Sequence, residues 1–510
     1  MVEKRNLTLF YILSLFVCIF AIWQAFALRW ICDDAFISFV YSRNLYETGT
    51  LVFNPNEYVE GFSNFLWTIL LSLGFAFDIK PTYFSILLGL ISYVSLLYFL
   101  FVVENKLNFA KVLPVFLIHI TLFRHNWIFA TSGLETMSFV LFVSIGLISP
   151  KVRGFAFFLA CLTRPEGFLF FGLYFVSSFK KWMKLENLSF SLLLILFIVF
   201  RYNYFGEFVP NTFYAKANHG SNIIQGFKYI IYFFKSYPLY SFIFVYSVGL
   251  LFISIFKKTK DWIMNFGVLL YLGYILYVGG DFMGIRFLIP ILPYLSYLFY
   301  NEILKWDENL HFESKNTGFF RMYEKNRILV VLFYVLSTAV YINPLLSNGK
   351  KIADWNGIGE EREFYENKLI DLSGYGDPIP DVRMAFFGAQ AHFVFNLRPS
   401  YAFEAEVGLT DSQFAKQDKI ITERIGHNGR LEMEDLKARK IHLIWANRFP
   451  ERNFPIITYN WRGFPIPIYV LRMDSSISNG VCKKPLWDCK IVFEELRKRN
   501  LSIDAEYTFL

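Results

Sequence analysis

From Leu7 to about Leu345 the chain is a succession of apolar runs broken by short polar clusters, and from Leu346 to Leu510 no run is long enough to span a bilayer. A spanning helix needs about 20 mostly apolar residues, because the hydrocarbon layer is about 30 Å thick and a helix rises about 1.5 Å per residue. Lipid offers the backbone no hydrogen bonds, so such runs are read as helices, which satisfy their own. Composition agrees: 55% of residues are hydrophobic, 61 are Phe and only 18% are charged, against about 25% charged in a soluble domain. Disorder, a collagen-like chain and a small disulfide scaffold are excluded. The net charge of +8 is assigned to cytoplasmic loops rather than to a nucleic-acid partner. The five cysteines show no metal-ligand spacing.

The composition divides the chain into a membrane part, residues 1–345, and a domain of residues 346–510. Leu7–Leu28, preceded by Lys4 and Arg5, reads as a first membrane helix with a cytoplasmic N-terminus. Ser63–Phe77 decides the topology. If it spans, the basic clusters Lys106 and Lys111, Lys151 and Arg153, Lys180, Lys181 and Lys184, and Lys257, Lys258 and Lys260 all fall outside. If it lies along the outer interface they all become cytoplasmic, which the positive-inside rule selects. Further spans are then expected at Thr82–Val103, Val112–Ala130, Thr136–Ile148, Gly154–Leu162, Pro165–Phe179, Leu188–Tyr204, Pro238–Phe256, Trp262–Val278, Phe287–Leu304 and Ile328–Leu345. Gly154–Leu162 is too short to cross alone, and Pro165 could join two half-helices. The expectation is a polytopic α-helical membrane protein of about eleven spans, with an extracytoplasmic C-terminal domain.

Polar chemistry gathers on the expected outer side. The loop of residues 29–81 opens with adjacent carboxylates, Asp33 and Asp34. A helical stretch follows, with Phe36, Phe39, Val40 and Leu45 as an apolar stripe. That pattern suggests a first membrane-surface helix, and EGFSN (Glu60–Asn64) leads into a second. TSGLET (Thr131–Thr136), TRPEG (Thr163–Gly167), PNTFYAK (Pro210–Lys216) and GGDFMGIR (Gly279–Arg286) fall on the same side. Arginine and glutamate at span ends are costly to bury, so they pair or act. Each cluster also fits helix caps and interface anchors. An acidic pair at a lipid boundary suits a general base that deprotonates an acceptor hydroxyl as it attacks a sugar carbon. It could instead hold a divalent cation. Arg164, Lys216 and Arg286 suit phosphate, the arginines as forks and the lysine as a point charge.

In order along the chain, Asp33-Asp34-Ala-Phe-Ile, Arg43-Asn44-Leu, Val52-Phe53-Asn54, Glu57, Val59-Glu60-Gly61-Phe62-Ser63 and Leu66-Trp67, followed by the four clusters above, carry a resemblance. The chain resembles GT-C glycosyltransferases. Within them it is most similar to the terminal β-(1→2)-arabinofuranosyltransferase family of the actinobacterial cell wall and its bacterial relatives. Arg424-Ile-Gly-His427 is similar to a short motif of that family's outer domain. The resemblance implies a GT-C-like fold. It also implies transfer of a sugar, arabinofuranose among the candidates, from a polyprenyl-phosphate donor to a hydroxyl of a cell-envelope glycan or glycolipid. Asp33 becomes the candidate base and Asp34 its partner or a ligand of a divalent cation, the one cofactor the resemblance leaves open. Glu60 and Asn64 would line a vestibule formed by the two membrane-surface helices and the acidic pair, and Arg164, Lys216 and Arg286 would meet donor phosphate. Asp281 would orient Arg286 or contact the acceptor, and His427 could reach in from the outer domain. Arg43, Asn44, Glu135, Glu166, Asn211 and Tyr214 complete the expected substrate contacts. The implied site of action is the outer face of a bacterial cytoplasmic membrane. The alternatives are a flippase for lipid-linked glycans, which would be expected to carry internal repeats, and a non-enzymatic assembly scaffold.

The C-terminal domain reads as α/β. Val382–Phe387, His442–Trp445 and Pro467–Leu471 have strand character, and Glu360–Leu372, Leu431–Arg439 and Lys490–Lys498 helical spacing. Trp355, Trp445, Trp461 and Trp487 are candidates for sugar stacking or for the core. If the domain lies outside the cytoplasm, Cys482 and Cys489 could form a disulfide.

Overall fold

A computed structural model describes residues 2–107, 114–178, 185–217, 222–313, 357–372, 376–417, 431–446, 449, 454–503 and 506–510. The chain is mostly helical, with a sheet near its C-terminus. Three described helices are long and apolar enough to cross a membrane: Leu7–Ala27, Pro81–Leu107 and Leu188–Phe205. Six further apolar helices are of 10–17 residues, among them Thr136–Ile148, Arg153–Thr163 and Gly167–Ser177. The expected span Ile328–Leu345 lies outside the described residues. Large apolar side chains stand exposed along the long helices, including Leu15, Phe16, Ile19, Trp23, Tyr98, Leu192 and Ile195. A water-soluble surface has no use for such continuous apolar faces.

Two compact units emerge. The first comprises Met1–Ile31, Ser85–Leu196 and Ser221–Glu366; the second comprises Cys32–Phe84, Phe197–Gly220 and Asn367–Leu510. Most of the 29–81 loop therefore groups with the C-terminal residues 367–510.

In the first unit, the run expected to span from Val112 to Ala130 is broken. It forms two short helices, Val115–Thr121 and Arg124–Phe129. Carbonyls near the break are taken up locally. Asn126 Nδ2 donates to Ile120 O at 2.9 Å and Trp127 Nε1 to Thr121 O at 2.6 Å. The break sets Arg124 and His125 at a turn, where they meet Glu363 at 3.2 Å and Glu360 at 2.7 Å. An unbroken helix would carry those two polar groups through lipid. Arg153–Thr163 and Gly167–Ser177 are the two half-helices that flank Pro165.

The second unit holds a six-stranded mixed sheet: β1 Arg383–Phe386, β2 Tyr401–Glu404, β3 Leu443–Trp445, β4 Ile456–Trp461, β5 Phe464–Val470 and β7 Trp487–Asp488. A separate pair joins β6 Arg472–Met473 to β8 Tyr507–Thr508. The sheet order is β2-β1-β3-β5-β4-β7. β1 is parallel to both β2 and β3, and the remaining pairings are antiparallel. The helix Ala391–Leu397 lies between β1 and β2 in the chain, as the crossover that parallel neighbours require. β4 and β5 form a hairpin whose turn residues, Arg462 and Gly463, have φ of 49° and 83°. Two positive φ values match the right-handed twist of the flanking strands. Cys482 and Cys489 are disulfide-bonded.

The loop helix Ala35–Thr48 differs from a surface helix with one apolar stripe. Every residue from Ala35 to Arg43 is buried. On one side Phe36 and Phe39 meet the Phe395 ring at 5.7 and 6.2 Å. On another, Ser42 Oγ donates to Thr68 O at 2.8 Å and Ser38 Oγ to Asn64 Oδ1 at 3.1 Å. Protein encloses its first nine residues because the C-terminal domain supplies a second apolar partner that the loop's own sequence does not reveal. The helix Phe65–Ala76 buries Trp67, Thr68, Leu71 and Gly74 and leaves Leu73 exposed.

Candidate active site

The expected site residues form two clusters, one in each unit. In the second unit, Asp33 immediately precedes Asp34, the N-cap of the helix Ala35–Thr48, and is almost fully buried. Its Oδ2 accepts from the Ala391 N–H at 2.9 Å, and its Oδ1 from the His392 N–H at 3.0 Å. The same Oδ1 accepts from His392 Nδ1 at 2.5 Å. Asp33 thus satisfies two of the orphan N–H groups that open the helix Ala391–Leu397. It also fixes one imidazole nitrogen as the donor. The other, His392 Nε2, is buried and has no hydrogen-bond partner among the described residues. A buried polar atom without a partner costs about 1–3 kcal/mol.

Around this pair the loop motifs are occupied in holding the unit together. Arg43 donates to Phe395 O at 2.7 Å and lies over the Phe395 ring. Burial, with Arg398 nearby, lowers its pKa to about 10. Asn44 Nδ2 donates to Val52 O and Phe53 O. Asn54 exchanges two hydrogen bonds with the backbone of Ala402, at 3.1 and 2.8 Å. Asn64 receives Ser38 and Thr68 hydroxyls. Glu60 pairs with Arg201 at 2.8 Å, and burial lifts its carboxyl to about 7 despite that partner. A Cβ on Gly61 would stand 2.4 Å from Leu409 O, so only glycine allows this approach. Asn211 Nδ2 donates to Gly408 O at 2.6 Å, and Tyr214 donates to Glu207 at 2.8 Å. Asp34 is half-buried. Lys216 is on the helix Asn211–Ala217. His427, with the rest of Arg424–His427, lies outside the described residues.

Glu404, at the end of β2, is completely buried and accepts from the N–H groups of Glu406, Val407, Gly408 and Leu409. Burial, and then Glu406, push its carboxyl up to about 7 against those donors. It shapes the same 406–409 turn that Asn211 and Gly61 touch.

In the first unit three motifs converge. Arg164 binds Glu135 at 2.6 Å and Glu166 at 2.9 Å, and Arg286 binds Asp281 at 2.5 Å. Both guanidinium groups lie against the Phe287 ring, at 5.3 and 5.7 Å. The two arginines expected to meet donor phosphate are thus held by three carboxylates. A phosphate approaching them would meet those negative charges at contact distance.

Among the described residues no group of three or more His, Cys, Asp or Glu side chains is placed to hold a metal ion. Asp33 in particular does not fit a cation, because N–H donors point at both of its oxygens. Of the four tryptophans, Trp445 and Trp487 are buried and Trp355 lies outside the described residues. Trp461 is half-buried at the hairpin tip, its ring 5.8 Å from that of His392.

No family model matches the chain, and no solved structure matches it. It is 28% identical over 251 residues to the terminal beta-(1->2)-arabinofuranosyltransferase of Mycobacterium tuberculosis. That match covers 43% of this chain and 40% of the relative. The chain therefore matches well under two thirds of the relative's length. The likeness supports a relationship to glycosyltransferases.

Proposed function

We propose that the chain is a membrane glycosyltransferase of the GT-C type. It moves a sugar, arabinofuranose in the first instance, from a polyprenyl-phosphate donor to a hydroxyl of a cell-envelope glycan or glycolipid. The observation that carries this reading is the buried Asp33 carboxylate, bound to an imidazole, in a chain related to an arabinofuranosyltransferase. Such a pair is suited to taking a proton from an attacking hydroxyl. The long apolar helices support a membrane location, where a lipid-borne donor resides. The Cys482–Cys489 disulfide supports an oxidising, extracytoplasmic setting for the C-terminal domain.

Mass spectrometry of envelope glycans from a deletion strain tests the reading. A terminal sugar lost on deletion and restored by the wild-type chain is the expected result. An unchanged glycan profile with altered export of lipid carrier would replace it with transport. Orientation has its own test. Leu70→Cys should be labelled by a membrane-impermeant thiol reagent from outside, and Trp182→Cys only from inside.

A further inference from the structure

Resting on the glycosyltransferase reading, we infer that His392, held by Asp33, is the general base of the transfer. Its Nε2 takes the acceptor hydroxyl proton, and Trp461 is the platform on which the acceptor sugar stacks.

The sheet topology supplies the first observation. β1 has β2 on one side and β3 on the other, both parallel to it. The chain leaves β1 toward β2 and then crosses back over β1 to β3. In open α/β sheets, ligands bind beyond the carboxyl ends of the strands where the winding reverses in this way. His392 stands at that position, in the first turn of the helix that follows β1.

The hydrogen bonds supply the second. Asp33 already serves three N–H donors with its two oxygens. An acceptor hydroxyl would have to compete with all of them for a lone pair. Asp33 instead holds His392 Nδ1, so the opposite nitrogen presents its lone pair. That nitrogen is the one with no partner among the described residues, on a side chain only 6% exposed. This is the geometry by which a carboxylate orients a neutral imidazole base and stabilises the imidazolium that forms in Ser-His-Asp hydrolases. Asp33 is then a positioning residue and His392 the catalytic one.

The surroundings supply the third. The His392 ring is bordered by Phe36 at 6.0 Å, Phe393 at 4.0 Å and Trp461 at 5.8 Å. Of the three, only Trp461 is not buried, and it sits beside a two-residue turn at the end of β4. A partly exposed indole next to a base suits a sugar ring.

The Nε2 lone pair takes the proton of the acceptor hydroxyl. The acceptor oxygen forms a bond to C1 of the donor sugar. The bond from C1 to the phosphate oxygen breaks, and its electron pair leaves with the polyprenyl phosphate. The proton on the imidazolium then passes to water.

His392→Asn is the decisive variant. The asparagine amide can keep a donor where Nδ1 stood while removing Nε2. The test uses the full chain in lipid nanodiscs with a synthetic polyprenyl-phosphate arabinofuranose and an arabinan oligosaccharide. His392→Asn should lose about 10²–10⁴-fold in kcat. Its KM for donor and its melting temperature should stay near wild type, and the acid limb of its pH–rate profile should vanish. Transfer at the wild-type rate by a folded His392→Asn chain overturns the base assignment while leaving the glycosyltransferase reading intact. Absence of transfer by the wild-type chain overturns both. Should His392→Asn fail to fold, Asp33→Asn decides, because it leaves the imidazole in place. Residual transfer that keeps an acid limb supports His392 as base. Complete loss, or transfer with no acid limb, contradicts it.

Discussion

The two charged clusters use similar residues to opposite ends. In the first unit, Arg164 and Arg286 face Glu135, Glu166 and Asp281, and each charge has its opposite at contact distance. In the second, Asp33 and His392 are also paired, yet the pairing leaves one nitrogen with nothing to bind among the described residues. A charged motif in a sequence thus signals two different things. It can mark a set of groups that neutralise one another in a low-dielectric interior, or a set arranged to present one reactive atom. Only the hydrogen-bond count separates them.

That contrast can be broken at the first cluster. Arg164→Met removes the cation that binds Glu135 and Glu166, and removing one member of a buried pair costs about 3–5 kcal/mol. A melt in detergent should show the loss. A melt within a degree of wild type would mean that the cluster is not structural and that its arginine is available to a ligand.

Gly61→Ala probes the second unit without touching a charge. Its Cβ would come within 2.4 Å of Leu409 O and 2.8 Å of the Tyr41 hydroxyl. The 406–409 turn must move, at about 1–3 kcal/mol. Loss of stability with the rate of transfer little changed would separate scaffold from chemistry in this unit.

Glu404 sharpens the comparison through pH. Its folded carboxyl titrates near 7, above its ordinary value of 4.5. A group raised on folding contributes stability that is fully present below its unfolded value and lost as pH rises through its folded value. The second unit should therefore lose about 1–3 kcal/mol between pH 4.5 and 8 from this group. Glu404→Gln, which stays neutral, should flatten that dependence. An unchanged slope would place the pH sensitivity elsewhere. The smallest effect is expected at the exposed Arg398–Glu47 pair, 3.1 Å apart. Arg398→Ala should change stability by about 0.2–1 kcal/mol.

The sequence disclosed the parts that depend on short-range pattern. Apolar runs such as Leu7–Leu28 and Thr82–Val103 appear as helices of nearly those limits because hydropathy alone specifies them. β1, β3 and β5 overlap the runs with strand character. β2 was missed because all four of its residues are buried, so Tyr401–Glu404 shows no alternation. The break at Leu122–Phe123 was missed because an apolar run does not show where its backbone bonds fail. Asp33 stood out through its neighbour Asp34 and its place after the first helix. His392 did not, since AHFVFNL presents a lone histidine in an apolar stretch with no motif spacing. Its partner is 359 residues away in the chain. A histidine placed one turn after a strand, at a sheet's reversal of winding, was the available signal. It becomes readable only once β2 is recognised.

The central claim is that the Asp33 carboxylate, through its bond to His392, drives sugar transfer in the second unit. Its most direct test is the rate of transfer from polyprenyl-phosphate arabinofuranose by the purified full chain, wild type beside Asp33→Asn. The wild-type chain should transfer, and Asp33→Asn should fall by about 10²–10⁴-fold while it remains folded. Equal rates, or no transfer by the wild-type chain, would contradict the account.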